Sequence, residues 1–247
     1  MAKTKWKKII VAGPLVMETV YPGCGRHDSP RARASKRKLS SEAQKHMNAK
    51  YSYQKLELML AANFLPGDLI VTLTYDDRHL PRSREEAKAK LKYFRHKLSA
   101  ERRKAGQPFV MFWNCEHVSG AGRWHHHCVI NSTGDDYKQL LKLWGQGEIE
   151  ITPLRVDKEK NYSTLARYMC KEATDKLGQR CWSYTRGARK PEVETFRVDG
   201  DTTLEAPEGS MVIEEATDRT EYGAYQFIKY LGAHIPRRTH VRRRRRT

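Results

Sequence analysis

Three consecutive histidines, His125, His126 and His127, sit in the run Arg123-Trp124-His125-His126-His127-Cys128-Val129-Ile130. The run is rich in aromatic and β-branched residues and reads as a strand. Strand side chains alternate between faces, so His125 and His127 project together and His126 points the other way. Two imidazoles two residues apart on a rigid strand are a ready pair of metal ligands. Register adds a carboxylate. Phe109 to His117 is a second strand candidate, and Ser119-Gly120-Ala121-Gly122 between the two is rich in turn residues. A hairpin folded symmetrically about that tetrapeptide sets Glu116 opposite His125, on the same face. Two histidines and a carboxylate suit a hard or borderline divalent ion with open positions, Mn²⁺ or Mg²⁺. The competing reading is a structural zinc site drawing on Cys115, His117 and Cys128. The chain has no Cys-x-x-Cys pair to support it.

Tyr168 and Lys171 lie three apart in a helix expected from Asn161 to about Lys176, so they share a face. A tyrosine hydroxyl, with an ordinary pKa of about 10, is a poor nucleophile while protonated. A divalent ion on a phosphate oxygen makes phosphorus more electrophilic. A neighbouring lysine favours phenolate or stabilises the charge that develops. The product of such an attack is a covalent phosphotyrosine. That bond keeps the energy of the phosphodiester, so a strand can be cut and rejoined. The bland reading of Tyr168 is an amphipathic-helix tyrosine packed on the sheet.

The elements that must position these groups follow from periodicity and capping. Ser41 with Gln44 is a capping box opening a helix to about Asn63, which Pro66-Gly67 ends. Leu69 to Tyr75 is a strand candidate. Ser83 with Glu86 is a second capping box, and Ala87, Leu91, Phe94 and Leu98 repeat at helical spacing to Gly106. After the histidine hairpin, a short helix runs from Asp135 or Asp136 to Trp144, and a strand spans Gly147 to Arg155. The order is that of the split βαβ: an α+β, ferredoxin-like antiparallel sheet with helices on one face, carrying basic terminal extensions. Residues 1–40 read as a basic arm, 41–198 as the domain with its leading helix, and 199–247 as a C-terminal segment. In that segment residues 199–220 read as irregular, and Tyr222 to Leu231 as a helix.

The net charge of +18 is concentrated at the ends. Residues 1–50 carry twelve Lys or Arg against three acids, and Arg237 to Thr247 hold seven arginines, Arg242, Arg243, Arg244, Arg245 and Arg246 among them. A near-neutral middle with basic ends points to a polyanion, nucleic acid first, gripped through its phosphates. A solvated tail or a nuclear-import signal is the alternative. Five cysteines without a regular framework fit a reducing cytoplasm. The apolar run Ile9 to Met17 is broken by Gly13-Pro14, so it makes a poor leader, and no stretch is long enough to span a membrane.

Taken in order, three motifs resemble the HUH endonucleases, which include rolling-circle initiators, relaxases and single-strand transposases. They are Val71-Thr72-Leu73-Thr74-Tyr75 with Asp76 and Leu80-Pro81 following, then Glu116 with His125 and His127, then Tyr168 with Lys171. The likeness covers roughly residues 40–198 and is nearest to phage replication-associated proteins of gene II type; Trp182-Ser183 and Lys190-Pro191 add to it. The resemblance implies Glu116, His125 and His127 as metal ligands, Tyr168 as nucleophile and Lys171 as its supporting cation. It further implies a DNA-nicking and strand-transfer enzyme that starts rolling-circle replication on single-stranded or extruded origin DNA in a bacterial cytoplasm. The chain departs from the pattern at His126, where the family has an apolar residue, and at Tyr162, which is too far round the helix to pair with Tyr168. No P-loop is present, so a host helicase and polymerase are the implied partners. A relaxase or transposase, or a non-catalytic nucleic-acid-binding module on the same scaffold, are the other functions the pattern allows.

Overall fold

Gly13 lies at φ 58°, in the left-handed region that favours glycine, and Ala12 pairs with Leu15 across the two-residue turn it forms with Pro14. In the computed structural model, which describes residues 5–23, 42–117, 123–134, 136–171, 181–220 and 223–233, this turn joins β1 (Lys5–Ala12) to β2 (Leu15–Pro22). The chain divides into two units, residues 1–41 with 190–247, and residues 42–189.

In the first unit, β1 and β2 pair with β9 (Glu192–Val198), β10 (Met211–Thr220) and β11 (Gly223–Leu231). The sheet is antiparallel, in the order β10-β11-β2-β1-β9. Three sequence expectations are corrected here. Residues 5–22 are strands rather than part of an arm, 211–220 are a strand rather than irregular, and the expected helix at the end is β11. The cause is charge pairing across strands. Lys7 lies 2.6 Å from Glu18, which also accepts the Tyr230 hydroxyl at 2.6 Å, and the buried Lys229 lies 3.4 Å from Glu214. Val16, Ile228 and Tyr230 form a small core in this sheet.

The second unit opens with α1 (Glu42–Asn63) and β3 (Leu69–Leu73). Next comes α2 (Arg84–Lys104), whose start is fixed as its sequence suggests. Ser83 Oγ accepts from the Glu86 N–H at 3.1 Å, while the Glu86 carboxylate takes the Arg82 N–H at 2.8 Å. Then follow β4 (Met111–Asn114), β5 (Glu116–His117), β6 (Trp124–Ile130), α3 (Tyr137–Trp144), β7 (Ile149–Pro153), α4 (Ser163–Met169) and β8 (Trp182–Tyr184). The strand order β7-β3-β6-β4-β8 is antiparallel, and its first four members make the ferredoxin-like arrangement.

Alternation divides the core. Val71, Leu73, Met111, Cys128 and Ile130 pack against Leu91, Phe94 and Leu98 of α2 and Leu140 and Trp144 of α3. On the other face Phe112 and Val129 meet Leu56, Met59 and Leu60 of α1 and Ala166 and Met169 of α4. Helices therefore lie on both faces, not one: the buried second half of α1, Leu56 to Leu60, needs a sheet surface as much as the apolar stripe of α2 does. Gly147 holds one corner together. A Cβ there would sit 2.5 Å from the Thr74 carbonyl oxygen, so only glycine lets β7 approach the Thr74–Asp76 backbone this closely.

Candidate active site

The site is built on the α4 side of β6. Strand pairing sets Glu116 opposite His125 and Thr72 opposite His127. The first pairing is the register read from the hairpin's symmetry. Strand alternation puts His125, His127, Thr72, Asn114 and Glu116 on one face and His126 on the other.

Helix α4 supplies the remaining groups. Its last turn brings the Tyr168 hydroxyl to 3.0 Å from His127 Nε2, with the two rings edge to face at 4.9 Å. Just past the helix, Lys171 Nζ lies 2.6 Å from Glu116 Oε1 and 4.4 Å from the centre of the Tyr168 ring. Tyr168 keeps 43% of its surface exposed, so its hydroxyl can meet a ligand from solvent, while Glu116 keeps 5%.

Two residues that the sequence reading missed hold the cluster in place. Asn114 accepts the His127 N–H at 3.1 Å and donates to the Met169 carbonyl at 3.1 Å, tying the histidine strand to the end of the tyrosine helix. Thr72 Oγ1 lies 3.3 Å from His127 Nδ1. Alternation carried the signal: Asn114 is two residues before Glu116, and Thr72 lies in the motif strand.

Burial lowers the pKa of His127, and the Lys171 ammonium and His125 lower it further against the opposing pull of Glu116. The neutral imidazole is thus the favoured form, as a metal ligand requires. When Nδ1–H is given to Thr72, Nε2 presents a lone pair. Glu116 Oε2 is buried without a hydrogen-bond donor, 3.2 Å from that nitrogen. In this tautomer a cation between the two acceptors would satisfy both; in the other tautomer Nε2–H faces the carboxylate. Their spacing is close to the edge of an octahedron with ~2.1 Å bonds, roughly 3 Å. His127 and Glu116 therefore fit two positions of a divalent ion's shell. His125 shares their face, but among the described residues no three His, Cys, Asp or Glu side chains come together around one point. That also leaves Cys115, His117 and Cys128 short of a zinc site.

His126 belongs to the core. It is fully buried, its Nε2 lies 2.7 Å from the Tyr75 hydroxyl, and Trp144 meets it edge to face. Burial pushes its pKa down to about 4. Tyr162 is the residue before α4, and it too is buried, with its hydroxyl 3.4 Å from the Phe64 carbonyl. It is remote in role from Tyr168 because it packs inward with α1. The described helix ends at Met169, short of the expected Lys176. Ser41, the 118–122 turn, Asp135, residues 172–180 and Arg242 to Arg246 lie outside the described residues.

The fold and this cluster define the class first: an α+β domain compatible with the HUH-like split βαβ, with a tyrosine and a lysine set over a histidine–glutamate pair. Residues 68–176 match the family model of the replication-associated proteins of ORF2 and phage gene II type. The segment from β3 to past Lys171 is thus similar to replication-associated proteins, a likeness consistent with a rolling-circle initiator of the gene II kind. No curated protein and no solved structure matches the chain. Among the described residues no helix is long and apolar enough to cross a membrane.

Proposed function

We propose that the chain is a metal-dependent endonuclease that cuts one DNA strand through Tyr168 and so primes rolling-circle replication. The observation that carries this reading is the Tyr168 hydroxyl, exposed and 3.0 Å from His127 Nε2, beside Glu116 and Lys171. Tyr168 Oη attacks the phosphorus, its proton passing to solvent. The P–O3′ bond breaks, the freed 3′ oxygen gains a proton from solvent, and the 5′ phosphate stays on the tyrosine. Lys171, over the ring, stabilises the phenolate and the charge on the pentavalent centre. Glu116, His127 and His125 would hold Mn²⁺ or Mg²⁺, which supplies the electrophilic pull on a phosphate oxygen. The 3′ hydroxyl then serves a host polymerase, with a host helicase opening the duplex. The basic ends, including Arg242 to Arg246, hold DNA by its phosphates.

The test needs no knowledge of the origin. A randomised pool of labelled single strands is incubated with the chain and Mn²⁺, Mg²⁺ or a chelator. The reading expects strands retained through denaturation with either metal, sharing one sequence at the 5′ end joined to the protein, and none with chelator. Retention that survives chelation, or no retention with either metal, contradicts it. A relaxase or transposase would give the same adduct, and the recovered sequence separates them by the genetic element it marks.

A further inference from the structure

A second feature of residues 42–189 lies beside α2, at the β8 edge of the sheet. Arg84, Lys88, Lys92 and Arg95 line one wall of a groove. On α2 these positions fall within an arc of about 80° and extend over about 16 Å. Trp113 and Trp182 stand on the sheet side, and the groove holds about 220 Å³ and is open to solvent. Its lining contains no acidic residue.

These cations are not neutralised locally. Arg84, Lys88 and Lys92 have no acidic partner among the described residues, whereas Lys90 and Lys104 on the same helix do. Arg84 Nε is buried with no hydrogen-bond partner, a donor left over for a ligand. Arg95 differs. Its guanidinium lies 4.7 Å over the Trp113 ring, making a flat cation–aromatic pair.

Size and chemistry select the occupant. The volume falls below the roughly 300–1,000 Å³ of an enclosed small-molecule site. The basic stripe instead matches the length of roughly five stacked nucleotides at ~3.4 Å each. A cationic track with aromatic walls is how single strands are held without sequence readout. An acidic peptide would satisfy the charges and leave the part-exposed Trp113 indole unused. Position agrees: Asn114 lines the groove and also holds His127 in place, and Cys115 beside it precedes Glu116.

We propose that this groove binds the stretch of single-stranded DNA flanking the cut phosphate. Its phosphates lie on Arg84, Lys88 and Lys92, and its bases lie against the Arg95–Trp113 pair. Naming the strand as DNA next to a cut rests on the proposed function; the anionic, ring-bearing character of the ligand rests on the groove alone.

The experiment titrates the full chain against fluorescein-labelled oligo-dT of about 15 nucleotides, within the ~4–16-nucleotide footprint of small single-strand-binding domains. Anisotropy is read across a salt series. Lys88→Ala/Lys92→Ala should lower the slope of log affinity on log salt by about 1.4, since each single-strand phosphate contact contributes about 0.7. Both lysines are exposed, so the fold should survive, and Lys88→Arg/Lys92→Arg should restore the slope. An alanine variant with the wild-type slope overturns the assignment. So does an arginine variant as weak as the alanine one. Covalent retention of the randomised pool, read in parallel on the wild type, separates the two proposals. Slope loss without retention keeps the groove and removes the nicking reading. Retention with an unchanged slope does the reverse.

Discussion

His126 and His127 are neighbours on one strand, yet they occupy different chemical worlds. His126 sits in the core between α2, α3 and Tyr75, and burial takes its pKa down to about 4. His127 lies on the other face, in reach of Tyr168, Glu116 and Thr72. A strand's twofold alternation makes the difference, because adjacent side chains are assigned to opposite surfaces. The same imidazole is thus a structural hydrogen-bonding group on one face and a reactive one on the other. Identity alone could not have separated them, but periodicity could.

The largest expected effect comes from the open face. His127→Ala should reduce covalent DNA retention by at least about three orders of magnitude, because it removes a ligand of the ion that activates the phosphate. The urea midpoint should move little. His125→Ala should have the same sign, and a fully active His125→Ala would shift the ligand set to His127 and Glu116 alone.

His126→Ala should break the other side of the comparison. It leaves a cavity and takes the 2.7 Å partner from the Tyr75 hydroxyl, which keeps only the longer 3.3 Å bond to the Ala87 carbonyl, so stability should fall by about 3 kcal/mol in urea unfolding. Retention at saturating DNA, measured well below the new midpoint, should persist. Loss of retention with unchanged stability would put His126 in the chemistry.

A smaller effect is expected from pH. The folded pKa of His126, about 4, lies below the ordinary 6.5, so between these values the unfolded chain binds the extra proton. Its stabilising contribution is complete above pH 6.5 and is lost as pH falls towards 4. Between pH 7 and 5 that amounts to about 2 kcal/mol. Comparing His126→Phe with the wild type at both pH values isolates it, and equal losses in the two proteins would mean the imidazole is not the cause.

Tyr162→Phe should do least. Its hydroxyl makes a long bond to the Phe64 carbonyl, so about 0.5–1 kcal/mol is at stake there and retention should be unchanged.

The second unit was readable because its signals are local and periodic. Ser83 with Glu86 fixed a helix start, alternation fixed the two faces of β6, and a short turn fixed Glu116 against His125. The helices on the second face were harder, since which face a stripe covers is a tertiary choice. The first unit was misread for a different reason. The lysines of β1 look like an arm until Glu18 supplies a partner, and the acids of β10 look irregular until Lys229 does. Those partners stand on other strands, in the case of Tyr230 and Glu18 more than two hundred residues away, and composition carries no register. Asn114 was overlooked because an asparagine within an apolar strand has no motif of its own; its role is visible only once Met169 and His127 are placed beside it.

The central claim is that Tyr168, and no other tyrosine, becomes joined to DNA. Tyr168→Phe removes one oxygen from a half-exposed side chain and leaves the ring over His127 and Lys171. Denaturing gels and peptide mapping of wild type and variant, with the randomised single-strand pool and Mn²⁺, give the answer. The account predicts a phosphotyrosine at Tyr168 in the wild type, and a variant that folds and binds the same strands but yields no adduct. An adduct at Tyr162, or one of full strength from Tyr168→Phe, would contradict it.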